Sequence, residues 1–185
     1  MILFFEIFGV ATGGRPEVMM LRFLILLVPL VVANPAWAAD RQDCSQFWLL
    51  VATGQVGNLN GVVAACRRAA EAGYADAQGT LGLAYATGLG ITRDDEQAAR
   101  WFRKAADQGD GSAQLSLGLA YKRGRGVPLD YVQGYMWMTL AAARGAVPAG
   151  SDAAKEQEDL AARMTAAQLS KARTLAAAWV PSAPR

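Results

Sequence analysis

A chain of 185 residues, 53% of them hydrophobic, is long enough for one domain with a sizeable core. Its formal net charge of +2 gives no electrostatic footprint for nucleic acid. The complete absence of His removes the usual general base, the Ser–His and Cys–His pairings and the commonest metal ligand, so no catalytic residue, cofactor or metal site is expected.

The first 38 residues read as an export signal rather than as structure. Met20-Leu21-Arg22 leads into the apolar run Phe23–Ala33, and Ala36-Trp37-Ala38 supplies a small-residue cleavage site, which puts processing between Ala38 and Ala39. The run contains Pro29 and falls well short of the ~20 residues that a spanning helix needs. Residues 1–18 add nothing to such a signal, so the expected start is Met19 or Met20; a retained anchor is the alternative. Cys44 is no acylation site, because Arg41-Gln42-Asp43 stands where small and aliphatic residues would be needed. The expected location is periplasmic or secreted, without membrane attachment after cleavage.

From Ala77 the chain repeats itself. A shift of 36 positions superposes Ala77-Gln78 on Ala113-Gln114 and Leu81-Gly82-Leu83-Ala84-Tyr85 on Leu117-Gly118-Leu119-Ala120-Tyr121. It also pairs Gly88 with Gly124, Gly90 with Gly126, Asp94 with Asp130, Gln97 with Gln133 and Trp101 with Trp137, with no gap. A fixed period of this length marks a stack of small units. Each unit reads as two antiparallel helices. Ala77, Leu81, Ala84 and Tyr85 share one face of the first helix, which Gly88 and Gly90 break at positions suited to positive φ. Asp94 opens the second helix with Gln97 at capping-box spacing, as do Asp130 and Gln133. Ala98, Trp101, Phe102 and Ala105 form its buried stripe. Gly82 and Gly118 each cost ~1 kcal/mol against Ala in a helix interior, which points to close helix–helix approach there.

The pattern AQ-x-x-LG-x-x-Y-x-x-G-x-G-(I/V)-x-x-D-x-x-Q-x-x-x-W-x-x-x-AA-x-x-G resembles the Sel-one-like repeat, a longer relative of the tetratricopeptide repeat. The resemblance implies an all-α fold, a right-handed α-solenoid of stacked antiparallel hairpins, with units at 77–112 and 113–148. A degenerate unit is expected at 41–76. Its Cys66–Gly73 occupies the register of Phe102–Gly109, its first helix covers Ser45–Ala52, and Gly54 takes the place of Gly90. It has Leu49 in place of Tyr85 and Ala65 in place of Trp101. At the other end, 149–180 reads as a capping pair, Ser151–Arg163 and Ala166–Trp179, the second opened by Thr165 with Gln168. The change of Arg100, Arg103 and Lys104 to Met136, Thr139 and Leu140 marks the helix it covers.

The resemblance implies a non-catalytic adaptor or scaffold that binds protein partners in the cell envelope. Two alternatives stand beside it. Cysteine-rich relatives suggest a β-lactam-related cell-wall enzyme, although S-x-x-K, S-D-N and K-T-G are all missing here. The other is an accessory protein that binds acidic polysaccharide. Lys122, Arg123 and Arg125 form the one local basic cluster, either a solubilising edge or a partner contact. Leu83 and Leu119 point away from Leu81 and Leu117, as repeat-to-repeat contacts or as groove lining. Tyr85, Tyr121, Trp101 and Trp137 are expected in the core, and Glu156, Glu158 and Asp159 on a solvated face. Gly88-Leu89-Gly90 and Gly124-Arg125-Gly126 lack the third glycine of a phosphate loop and read as turns.

Cys44 and Cys66 flank Gly54 at nearly equal distances, their midpoint falling at residue 55. Residues equidistant from the turn of an antiparallel hairpin sit side by side, and an oxidising compartment preserves a disulfide. The expectation is a Cys44–Cys66 bond, with two unpaired buried cysteines as the alternative.

Overall fold

The computed structural model describes residues 35–148 and 150–182. Contacts divide the chain into Met1–Pro35 and Ala36–Arg185, and the stack of helices belongs to the second. The expected signal run Phe23–Ala33 lies outside the described residues. Among those, the elements are α1 (Pro35–Ser45), α2 (Phe47–Ala52), a 3-10 turn (Val56–Asn58), α3 (Leu59–Glu71), α4 (Ala75–Thr87), α5 (Asp95–Asp107), α6 (Gly111–Arg123), α7 (Tyr131–Ala143), α8 (Asp152–Ala162) and α9 (Ala166–Ala178). They contain no strand. The starts of α3, α5 and α7 are spaced by the sequence period, as are those of α4 and α6.

Each hairpin closes through its glycines. Gly88 (φ 78°) and Gly124 (φ 64°) are left-handed caps whose N–H groups return to Ala84 and Ala120. The second glycine of each turn does more than bend. A Cβ on Gly90 would stand 2.8 Å from Leu59 Cβ, and one on Gly126 would collide with the backbone carbonyl of Asp95. These glycines seat each turn on the start of the preceding hairpin's second helix. Gly82 and Gly118 set the spacing within hairpins. A Cβ there would fall 2.7 Å from the Phe102 ring or 2.8 Å from Met138 Cγ.

The Asp caps are half of what the spacing suggests. Asp94 and Asp130 accept from the backbone N–H of Gln97 and Gln133, each at 3.0 Å. The reciprocal bond does not form, because the N–H groups of Asp94 and Asp130 already donate to the carbonyls of Tyr85 and Tyr121. Only Thr165 and Gln168 complete a capping box among the described helices.

Successive hairpins are tied by buried glutamines. Gln78 and Gln114 are 5% and 0% exposed, and their side-chain amides donate to the carbonyls of Ala70 (3.0 Å) and Ala106 (3.2 Å) in the preceding hairpin. This explains the Ala-Gln pair that recurs in the sequence, since an interior amide requires a partner.

The first hairpin departs from its expected form. Its first helix is not Ser45–Ala52 but two segments, α1 and α2, broken at Gln46. There Gln46 N donates to Asp43 O, and Ser45 Oγ donates to the Gln42 carbonyl at 2.6 Å, so the regular ladder is locally replaced. The turn is where it was expected, with Gly54 at φ 73°. Cys44 and Cys66, 3% and 0% exposed, are joined by a disulfide with Cα atoms 4.6 Å apart.

At the far end α8 and α9 both pack on α7. Trp137 is 1% exposed beneath Trp179, and Met136 is buried with it. Trp101, its repeat mate, is not the core residue expected. It is half-buried at the edge of the core, because among the described helices α5 packs mainly on α4 and α6, whereas α7 is also covered by α9.

Candidate functional site

The first helices of the three hairpins line a continuous groove. One part, about 560 Å³, runs over α1, α2, α4 and α6 between Arg41, Trp48, Thr80, Leu83, Leu115 and Ser116. A second part, about 250 Å³, continues past Leu83, Phe102 and Ser116 to Leu119, Arg123 and Arg125. The floor is made by the repeat. Phe102 is buried, and Gly79 leaves the floor low between α4 and α6, where a Cβ would make only ordinary contact with Asp110 and Ala113.

Leu83 and Leu119 play both of the parts open to them. Each is half-buried, packs on the core between hairpins and faces the groove. Sequence reasoning passed over Trp48, Thr80, Ser112 and Ser116, which line the same wall. The signal was present, since the repeat shift places Thr80 on Ser116 and Asp76 on Ser112. Small polar residues at matched positions off the core stripe mark an open helix face. Trp48 is 56% exposed and supplies the largest apolar surface at that end.

The charges of the groove are mostly paired within the fold. Arg41 Nε donates to Asp76 at 2.9 Å. Asp95 accepts from Arg93, which holds its carboxyl below the ordinary range despite partial burial; the charge of Arg125 adds to this.

The basic cluster requires a correction. Lys122 is not an exposed partner contact: its side chain is 8% exposed, and Nζ pairs with Glu156 at 2.5 Å and Asp159 at 2.8 Å. Burial works against its charge, but hydrogen bonds to Asp159 and Glu156 more than offset this and leave the ammonium harder to deprotonate than usual. Arg123 also pairs with Glu156, at 2.7 Å. Glu156 and Asp159 are therefore docking residues of α8 and not simply a solvated face, whereas Glu158 is exposed as expected. Of the three cations, Arg125 alone makes no ion pair among the described residues. The cluster thus gives little support to an acidic glycan contact.

No group of three or more His, Cys, Asp or Glu side chains suited to a metal ion forms among the described residues. No described helix is long and apolar enough to cross a membrane. Stacked hairpins, interior glutamine ties and a groove walled by first helices define an α-solenoid that offers a binding surface. The chain carries two Sel1 repeats: the Sel1 repeat family matches residues 75–110 and 111–145. Among solved structures it is similar to a protective antigen present in uropathogenic Escherichia coli strains, described as displaying an SLR fold. That match has 32% identity and a TM-score of 0.67, covering 74% of this chain and 29% of the antigen. A Sel1 repeat protein from Oxalobacter formigenes matches at 27% identity and TM-score 0.53, covering 70% and 54% of the two chains. The chain thus spans well under two thirds of either protein. Among curated proteins none matches.

Proposed function

We propose that this chain is an exported, non-catalytic adaptor that holds a segment of a partner protein in the groove between Trp48 and Arg125. The observation that carries this reading is the continuity of that groove across three hairpins, lined by half-buried leucines and small polar side chains that the fold leaves uncovered. The Sel1 repeat is a protein-interaction repeat, in keeping with the absence of a catalytic constellation in the sequence. The Cys44–Cys66 bond supports an oxidising compartment.

The organisation proposed with it is a leader to Ala38, a degenerate hairpin at 41–76, repeats at 77–112 and 113–148 and a cap at 149–180. Processing after Ala38 leaves Asp40 in place, where it accepts two hydrogen bonds from Arg68 at 2.6 and 2.9 Å. The intact mass of the exported form tests the leader; a mass that retains Phe23–Ala33 contradicts it. Ser116→Arg tests the groove by filling it without entering the core. Partner retention falls in Ser116→Arg and persists in Glu158→Arg. Equal retention in both contradicts the reading.

A further inference from the structure

A second cleft, of about 610 Å³, lies apart from the groove, between the C-terminal ends of α3 and α5 and the segment that follows α9. Its walls include Glu71, Trp101, Lys104, Asp107, Gln108 and Trp179. Trp101 holds the repeat position of Trp137 without its cover, so the fold leaves an aromatic wall open here.

The two acids stand where the fold disfavours them. Glu71 is the last residue of α3 and Asp107 the last of α5, each at the negative end of a helix macrodipole. Among the described residues neither carboxylate accepts a hydrogen bond or joins an ion pair. Burial raises the Asp107 carboxyl above its ordinary range, and the charge of Arg103 opposes this only in part. Nothing in the packing of α3 or α5 uses these groups.

Both aromatic walls already draw cations. Lys104 Nζ lies 4.0 Å from the centroid of Trp101, and Arg144 Cζ lies 5.3 Å from that of Trp179. Two carboxylates, two helix C-termini and two indole faces favour a cation in the cleft, where Lys104 and Arg144 already occupy the indole faces and the charge of Arg103 reaches Asp107 without pairing with it.

We propose that this cleft binds the cationic side chain of a basic peptide segment, an arginine or lysine held between Trp101 and the carboxylates of Glu71 and Asp107. Lys104 is the resident cation that the incoming side chain displaces. A neutral saccharide would use the indole walls and the amide of Gln108 but has no need of two unpaired acids.

Isothermal titration of the folded protein with hexa-arginine, and separately with N-acetylchitotriose, tests this. Hexa-arginine binds, and Asp107→Asn and Glu71→Gln each weaken it by about three- to tenfold. Lys104→Ala strengthens it, since the variant removes the cation that occupies the Trp101 face together with its like charge. The sugar gives no saturable heat. Neither Asp107→Asn nor Glu71→Gln lowers the unfolding midpoint, since each relieves a carboxylate at the negative end of a helix and removes no hydrogen bond among the described residues. Undiminished binding in the Asp107→Asn, Glu71→Gln double variant overturns the proposal, as does weaker binding in Lys104→Ala. Saturable sugar binding that is lost in Trp101→Phe overturns it in favour of a glycan.

Discussion

The guanidinium of Arg103 lies 5.8 Å from the ring centroid of Tyr121 in the next hairpin and donates to its hydroxyl; Arg67 makes both contacts with Tyr85 one repeat earlier. One period further on, Gln157 of α8 donates to Thr139 at 3.2 Å. The first helix of the cap thus takes up the inter-hairpin contact of a further repeat, with neutral partners. Tyr121→Phe keeps the stacked ring and removes the hydrogen bond. It should cost about 1 kcal/mol in chemical denaturation.

The turn glycines give a graded test. Gly124→Ala meets only left-handed strain, since Leu129 Cβ is 3.5 Å from the added carbon. Gly126→Ala adds a collision with the Asp95 carbonyl, which belongs to backbone and has no rotamer to relieve it. Urea denaturation should place Gly126→Ala at least ~2 kcal/mol below wild type and clearly below Gly124→Ala.

The disulfide stabilises the end of the stack that has no neighbour on its outer side. Its Cys residues are 22 positions apart, and closing such a loop is worth about 3 kcal/mol by chain entropy. Reduction should speed hydrogen exchange in α2 and α3 before it does so in α6 and α7. Uniform loosening of the whole stack would show that the bond does not act locally.

Lys122 makes the docking of α8 sensitive to pH. Hydrogen bonds from Lys122 are the main reason that the carboxyls of Glu156 and Asp159 lie below their ordinary ranges. Their stabilisation is therefore complete above the unfolded carboxylate pKa values, roughly pH 4, and is lost as pH falls through the lower folded values. Lys122 behaves in the opposite sense: its raised value keeps the contribution intact below roughly pH 10 and removes it as pH rises through the folded pKa. Lys122→Met should lower the thermal midpoint at pH 7, and the gap to wild type should shrink below about pH 4. Arg125→Gln, at an exposed side chain without an ion pair among the described residues, should stay within about 0.5 kcal/mol of wild type.

Local rules carried the sequence a long way. Helix starts, left-handed turns and the contact at Gly82 follow from spacing and from the cost of glycine in a helix, because each is decided within one hairpin. What escaped was decided across hairpins. Lys122 looks like any exposed lysine until Glu156, 34 positions later, comes to lie against it. Trp101 and Trp137 are equivalent in sequence, and only the crossing of α9 buries one of them. The break at Gln46 depends on Ser45 bonding back to Gln42, a choice open to any serine in a helix. The groove left a faint trace in Thr80 and Ser116, which share a repeat position but carry no chemistry of their own.

Occupancy of the groove is tested most directly by placing a photoreactive side chain at Ser116, within it, and separately at Glu158, on the exposed face of α8. Both variants should fold with the wild-type midpoint. Irradiation in the exporting cell should give one discrete protein adduct from position 116, lost when Trp48→Ala is added, and none from position 158. Equal adducts from both positions, or an adduct at 158 alone, would contradict the account.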